Sequence, residues 1–114
     1  MFDGVTMYAI NTALDGLAAR QRTIADNVAN INTPGFLAGR VDFESALASA
    51  VQNGDTSGSV VSESRSLDPT REDGNNVNLD EETVSNDDTG LRYSLMLRAA
   101  DHEFTVMRDS MRTV

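Results

Sequence analysis

Cysteine is absent from the 114 residues. A disulfide framework, a zinc ribbon and a thiol nucleophile are therefore excluded, and whatever cross-links the fold is noncovalent. Lysine is absent too, since all nine basic residues are Arg; Arg suits fixed ion pairs but does not by itself specify a role. No run of about 18 apolar residues occurs, so no membrane span is expected. The segment Met1 to Asn11 carries Asp3 where a secretory signal would be basic, and it has no apolar h-region, so no Sec-type cleavage is expected. Basic charge is scarce: 18 acidic side chains against 9 basic ones give a formal charge of -9. That balance repels phosphate backbones, and dispersed arginines make no concentrated patch, so nucleic acid is not an expected partner.

Catalytic chemistry is equally thin. The single His, His102, lies between Asp101 and Glu103, and adjacent helical positions point in different directions, so the three form no ligand cluster. The acidic run Asp80, Glu81, Glu82, Asp87, Asp88 resembles a calcium-ligand composition, yet no register supplies the spacing of an EF-hand loop. Carboxylates there are accounted for by favourable interaction with the exposed N–H groups of a helix start. There is no Gly-rich phosphate loop and no G-x-S-x-G elbow. Neither enzymatic activity, nor a cofactor, nor a metal is expected.

What the chain does have is periodicity at its two ends. Met7, Ile10, Leu14, Leu17, Gln21, Ile24, Val28 and Ile31 follow at alternating spacings of 3 and 4, a heptad stripe. Asn32, Thr33, Pro34 and Gly35 end it, because Pro34 disfavours a helical Thr33 and Gly35 accepts positive φ. Tyr93, Leu97, Ala100, Phe104, Met107, Met111 and Val114 make a second stripe. Its helix is expected over Leu91 to Met111, with a weaker extension back to Leu79 across Gly90. Val41 to Val51 allows a short helical segment of about three turns.

The middle is different material. Between Asn53 and Asp88 ten acidic residues accompany two Arg, and Asn53 to Asn76 is a Gly/Ser/Asp/Asn stretch that reads as loop, with Ser59 to Val61 at most a short strand. The organisation expected is a mainly α chain in four segments: a coiled-coil helix over 1–32, a turn and short helix over 33–52, a polar and largely irregular linker over 53–78, and a second coiled-coil helix over 79–114. The two long helices pair as an antiparallel hairpin, marginal alone, that uses its stripes on other chains. A soluble three-helix bundle acting as an adaptor or chaperone is the alternative. Asn27, Asn30 and Asn32 read either as helix termination or as amides that bond a neighbouring subunit.

Those residues also carry a resemblance. DNVANINTPGF, Asp26 to Phe36, with Asn27, Asn30, Thr33, Pro34, Gly35 and Phe36, closely resembles the N-x-A-N-x-x-T-P-G-[YF] signature of flagellar rod, hook and hook-filament axial proteins. Arg40, Asp42, Phe43 and Glu44 are similar to the DFE segment that follows it in proximal rod members. GNNVNLDEE, with Gly74, Asn75, Asn76, Val77 and Leu79, resembles the stretch opening their C-terminal helix, where the FlgC type lacks the GNN opening. Phe36 replaces the usual Tyr, and Thr83 to Gly90 is more polar than the family's pattern. The resemblance implies a structural subunit of the proximal rod in the basal body, exported unfolded by the flagellar type III apparatus. Such a subunit assembles helically with itself, with the rod proteins FlgC, FlgF and FlgG, and with FliE and the MS-ring protein FliF. The interface residues expected are Met7, Ile10, Leu14, Leu17, Ile24, Val28, Ile31, Tyr93, Leu97, Phe104, Met107 and Met111.

Overall fold

A computed structural model describes residues 4–58 and 60–112. Its elements are α1 (Gly4–Ala29), β1 (Gly39–Asp42), α2 (Glu44–Asn53), β2 (Ser62–Arg65) and α3 (Leu79–Arg112). The long helices α1 and α3 pack against each other along a body 66 × 25 × 14 Å in extent. Each boundary has a local cause. After α1 the chain turns through Asn30 to Gly35, where Gly35 takes φ +76°. Gly54, at φ +67°, ends α2 and donates its N–H to the Val51 carbonyl. Asn78 opens α3: its Oδ1 accepts from the N–H groups of Asp80 (3.0 Å) and Glu81 (3.3 Å), and Asp80, Glu81 and Glu82 in the first turn complement the helix dipole.

α3 runs unbroken through Gly90, so the extension back to Leu79 is as helical as the part after Leu91. The propensity penalty of one Gly, about 1 kcal/mol, is offset by the packing of Tyr93 and Met96 of the same helix against the apolar core.

The middle segment is more structured than a linker. β1 and β2 pair antiparallel in the register Gly39↔Arg65 to Asp42↔Ser62. The short strand expected at Ser59 to Val61 is displaced to Ser62–Arg65, and Ser59 lies outside the described residues. This ribbon and α2 cover one side of α1. The core joins Ala13, Leu17 and Ala19 of α1 to Val41 and Phe43, flanked by Leu47, Val60, Val61, Tyr93 and Met96. Gly16 makes it possible, because a Cβ there would stand 2.5 Å from Phe43 Cδ1.

Each heptad stripe divides. Ile10, Leu17 and Ile24 are buried, whereas Met7, Leu14 and Ile31 are half-buried and Val28 is exposed. On α3, Tyr93 and Met107 are half-buried, but Leu97, Phe104 and Met111 are 48%, 52% and 73% exposed. Val114 lies outside the described residues. The reason is geometric: one partner helix covers a narrow strip, and the ribbon and α2 lie against α1. Inward positions on α3 therefore pass through Glu82, Thr89, Tyr93, Met96 and Ala100, leaving the other half of the stripe on an open flank.

Candidate functional site

Two features stand out: a polar junction that fixes the helix pair at one end, and the apolar flank that the pair leaves open.

The junction begins with Asn27, which is 0% exposed. Its Nδ2 donates to the Gly39 carbonyl (3.1 Å) and to Glu82 Oε1 (3.0 Å), and its Oδ1 accepts from the Gly39 N–H at 2.8 Å. One amide thus satisfies both backbone groups of a strand residue and reaches α3. Glu82, 2% exposed, also accepts from Arg40 at 3.0 Å. A carboxylate so buried is tolerable only when paired and hydrogen-bonded, and both conditions hold. Arg40 further faces Glu81 at 3.7 Å. Gly39 is required by proximity, since a Cβ there would lie 2.7 Å from Thr23 Cγ2.

Beyond the end of α1, the second motif folds onto the first. Asn75, also fully buried, donates from Nδ2 to the carbonyls of Asn30 (2.8 Å) and Thr33 (2.9 Å), and its Oδ1 accepts from the Val77 N–H. Asn76 Oδ1 accepts from the Ala38 N–H at 2.7 Å while its Nδ2 donates to the Ser66 and Asp68 carbonyls. The Gly35 N–H donates to the Asp73 carbonyl (2.8 Å). Gly74, at φ +83°, lets the two turns approach, because its added Cβ would be 3.3 Å from Gly35 Cα. Arg71 clamps the pair, donating to Val77 O and Ile31 O, both at 2.6 Å. These bonds satisfy the Asn30, Ile31 and Thr33 carbonyls of the turn that follows α1.

Asn30 donates to the Asp26 carbonyl (2.8 Å) and accepts from the Thr33 hydroxyl (3.0 Å). Within one chain, then, the Asn30 amide closes the turn at the end of α1, with both ends of its side chain engaged. Thr33, Pro34 and Gly35 form the exposed turn, and Phe36 is half-buried under the Arg65 guanidinium, 5.3 Å above its ring centroid. Val77 is buried, while Leu79 and Asp42 are exposed.

A second lock holds α2. Arg20 makes paired bonds to the Glu44 carboxylate (2.7 and 2.8 Å), donates to the Val41 carbonyl (2.6 Å) and lies 5.0 Å over the Phe43 ring. The hydrogen bonds from Arg20 hold the Glu44 pKa down at about 2 and raise that of Arg20 in turn.

Sequence reasoning found the amides but not the charges they serve. Glu82, Arg20 and Arg71 went unassigned as partners. For Glu82 a signal existed: stepping back from Tyr93 by 4 and then 7 residues lands on Thr89 and Glu82, placing an acid on the inward face.

Among the described residues no group of His, Cys, Asp and Glu could hold a metal ion, and no helix is long and apolar enough to cross a membrane. His102 is exposed on α3.

Residues 7–36 match the family model described as "Flagella basal body rod protein". Among curated relatives, the flagellar basal body rod protein FlgB of Borrelia hermsii is 34% identical, over 80% of this chain and 84% of its own. FlgB of Escherichia coli K12 is 30% identical, over 89% of this chain and 88% of its own. FlgB of Borreliella burgdorferi is 33% identical over 80% and 84%. These relatives, structural rod proteins and not enzymes, put the chain in the class of structural proteins of the flagellar basal body. Within that class the chain belongs to the FlgB family of basal body rod proteins, and association with other rod components follows from that membership.

Proposed function

We propose that this chain is a subunit of the proximal rod, exported by the flagellar type III apparatus and assembled helically to carry torque from the MS ring toward the hook. Its neighbours in this reading are further copies, FliE, FliF and the rod proteins FlgC, FlgF and FlgG. The observation that carries the proposal is the open flank: Leu97, Phe104 and Met111 repeat every seven residues on α3 yet stay about half exposed or more. Large apolar side chains in register on an uncovered helix call for neighbouring chains to cover them. Interdigitated packing of that kind resists shear because close-packed interiors deform little, which suits a shaft. Contacts that do not close on themselves extend along an axis.

The test is Phe104→Asp in cells lacking the native gene. The variant should be made and secreted at normal levels, yet be missing from isolated basal bodies and leave the cells non-motile. Normal rods and swimming would remove the flank from the assembly surface.

A further inference from the structure

At the signature end, between the last turns of α1 and the first turns of α3, lies a groove of about 510 Å³ lined by Ile24, Ala25, Val28, Leu79, Thr83 and Asn86 among others. Its floor is apolar, and Val28 and Leu79 stay exposed. Next along α3 to its lining residues Leu79 and Asn86 stand Asp80 and Asp87, which form no ion pair among the described residues, unlike Glu81, which faces Arg40, and Asp88, which pairs with Arg92. At the opposite end of the body one face has the complementary character. α3 has 34 residues against 26 in α1, and the face of its last two turns that holds Phe104 and Met111 also holds Arg108 and Arg112, which likewise form no ion pair among the described residues, while Glu103 and Asp109 lie off that face and Asp101 stands one turn earlier.

We infer that the C-terminal turns of α3 of one copy seat in this groove of a second copy, head to tail. The inference rests on the rod-subunit reading and adds the contact. Lengths agree: Phe104 to Met111 and Leu79 to Asn86 are both two helical turns, about 10 Å at 1.5 Å per residue. With the two α3 helices parallel, setting Phe104 beside Leu79 brings Met111 beside Asn86 and Arg112 beside Asp87, with Arg108 between Asp80 and Asp87. Apolar side chains then cover apolar floor, and each cation meets a carboxylate. Such charge matching fixes register and orientation more than raw affinity. Because the tail and the groove are different surfaces, the contact is heterologous and propagates.

The native chain contains no Cys, so single thiols report the contact cleanly. Full-length Asn86→Cys and Met111→Cys chains are mixed at low salt under mild oxidation, with Thr56→Cys replacing Asn86→Cys as the control. The disulfide joining an Asn86→Cys chain to a Met111→Cys chain should form about tenfold faster than that of the control pair, and it should slow as salt screens the arginines. Adding Arg108→Glu and Arg112→Glu to the Met111→Cys chain should slow it about tenfold. Asp80→Arg and Asp87→Arg on the Asn86→Cys partner should then restore it, which a folding defect would not allow. Three results overturn the inference: mixed cross-linking no faster than the control, no response to charge reversal, or a dominant disulfide between two Asn86→Cys chains, which would make the groove a symmetric pairing surface. In cells, Arg108→Glu/Arg112→Glu chains that still build normal rods would refute this contact and leave the rod-subunit reading intact; absence of the wild-type chain from basal bodies would sink that reading instead.

Discussion

Gly16 and Gly90 both sit inside long helices, and replacing each by Ala should move stability in opposite directions. Helix propensity alone favours Ala over Gly by about 1 kcal/mol. An added Cβ at Gly90 meets nothing within 4 Å, so Gly90→Ala should stabilise the chain by up to about 1 kcal/mol. At Gly16 the new Cβ would stand 2.5 Å from Phe43 Cδ1 and 2.6 Å from Cγ. These are atoms of a rigid ring close to its own backbone, which leads directly into α2, so no small rotation clears them. Displacing the ring costs about 1–3 kcal/mol in overpacking. Full expulsion of a side chain only 4% exposed would lose about 1.5–3 kcal/mol of burial, along with the stacked Arg20. After the propensity gain is subtracted, Gly16→Ala should be destabilised by about 1 kcal/mol, and by no more than about 2. Urea unfolding followed by circular dichroism measures both variants, and Phe43→Leu in the Gly16→Ala background should recover part of the loss. A Gly16→Ala chain as stable as the wild type would refute the socket.

Glu44 has a folded pKa of about 2 against an ordinary 4.5. Its stabilisation is therefore present above pH 4.5 and lost as pH falls from there toward 2; the carboxylate is half-exposed, which limits the contribution to about 1 kcal/mol or less. Glu44→Gln should flatten the acid limb of stability over that window, and an unchanged limb would argue against the Arg20 pair. Asn27→Ala should cost about 3 kcal/mol, because it strands the Gly39 N–H and leaves Glu82 short of a donor; Asn30→Ala, at the exposed turn, should cost about 1 kcal/mol or less. Equal losses on chemical denaturation would mean that the buried amide is not the stronger clamp. Gly90→Ala should partly restore rod assembly to Asn27→Ala, whose defect is one of stability, and should not restore it to Phe104→Asp, whose defect is a missing surface; basal-body content of the double variants decides.

Spacing arguments work where the physics is local. The 3–4 repeat is enough to announce α1, because side-chain periodicity in a helix depends only on its pitch, and Pro34–Gly35 mark its end for reasons internal to the turn. α2 was legible for the same cause. Which half of each stripe turns inward was not legible, since that depends on what covers α1 from the side. Gly16 and Phe43 decide it, and they are 27 positions apart in sequence. The ribbon was missed because β1 and β2 are four residues each, β1 with one apolar side chain and β2 with none, so neither alternates long enough to register as a strand. The Asn-rich motifs were visible as a cluster, but their partners were not: Asn27 with Glu82 and Asn75 with Asn30 are 55 and 45 residues apart.

The division between the two ends of the body follows from what each kind of contact can do. A hydrogen bond to a buried amide is directional, so Asn27, Asn75 and Asn76 set the position of the returning chain against α1 without a large apolar core, of which this flat body has little. Apolar packing is non-directional and roughly additive in area, so it adapts to whichever chain arrives. A subunit that must present one fixed face, and yet add to neighbours that differ from copy to copy along a shaft, is served by using the first kind internally and leaving the second kind exposed. Polar groups lock α1, β1 and the start of α3 together, and the apolar row Leu97, Phe104 and Met111 stays exposed, which is the division the proposed rod subunit calls for.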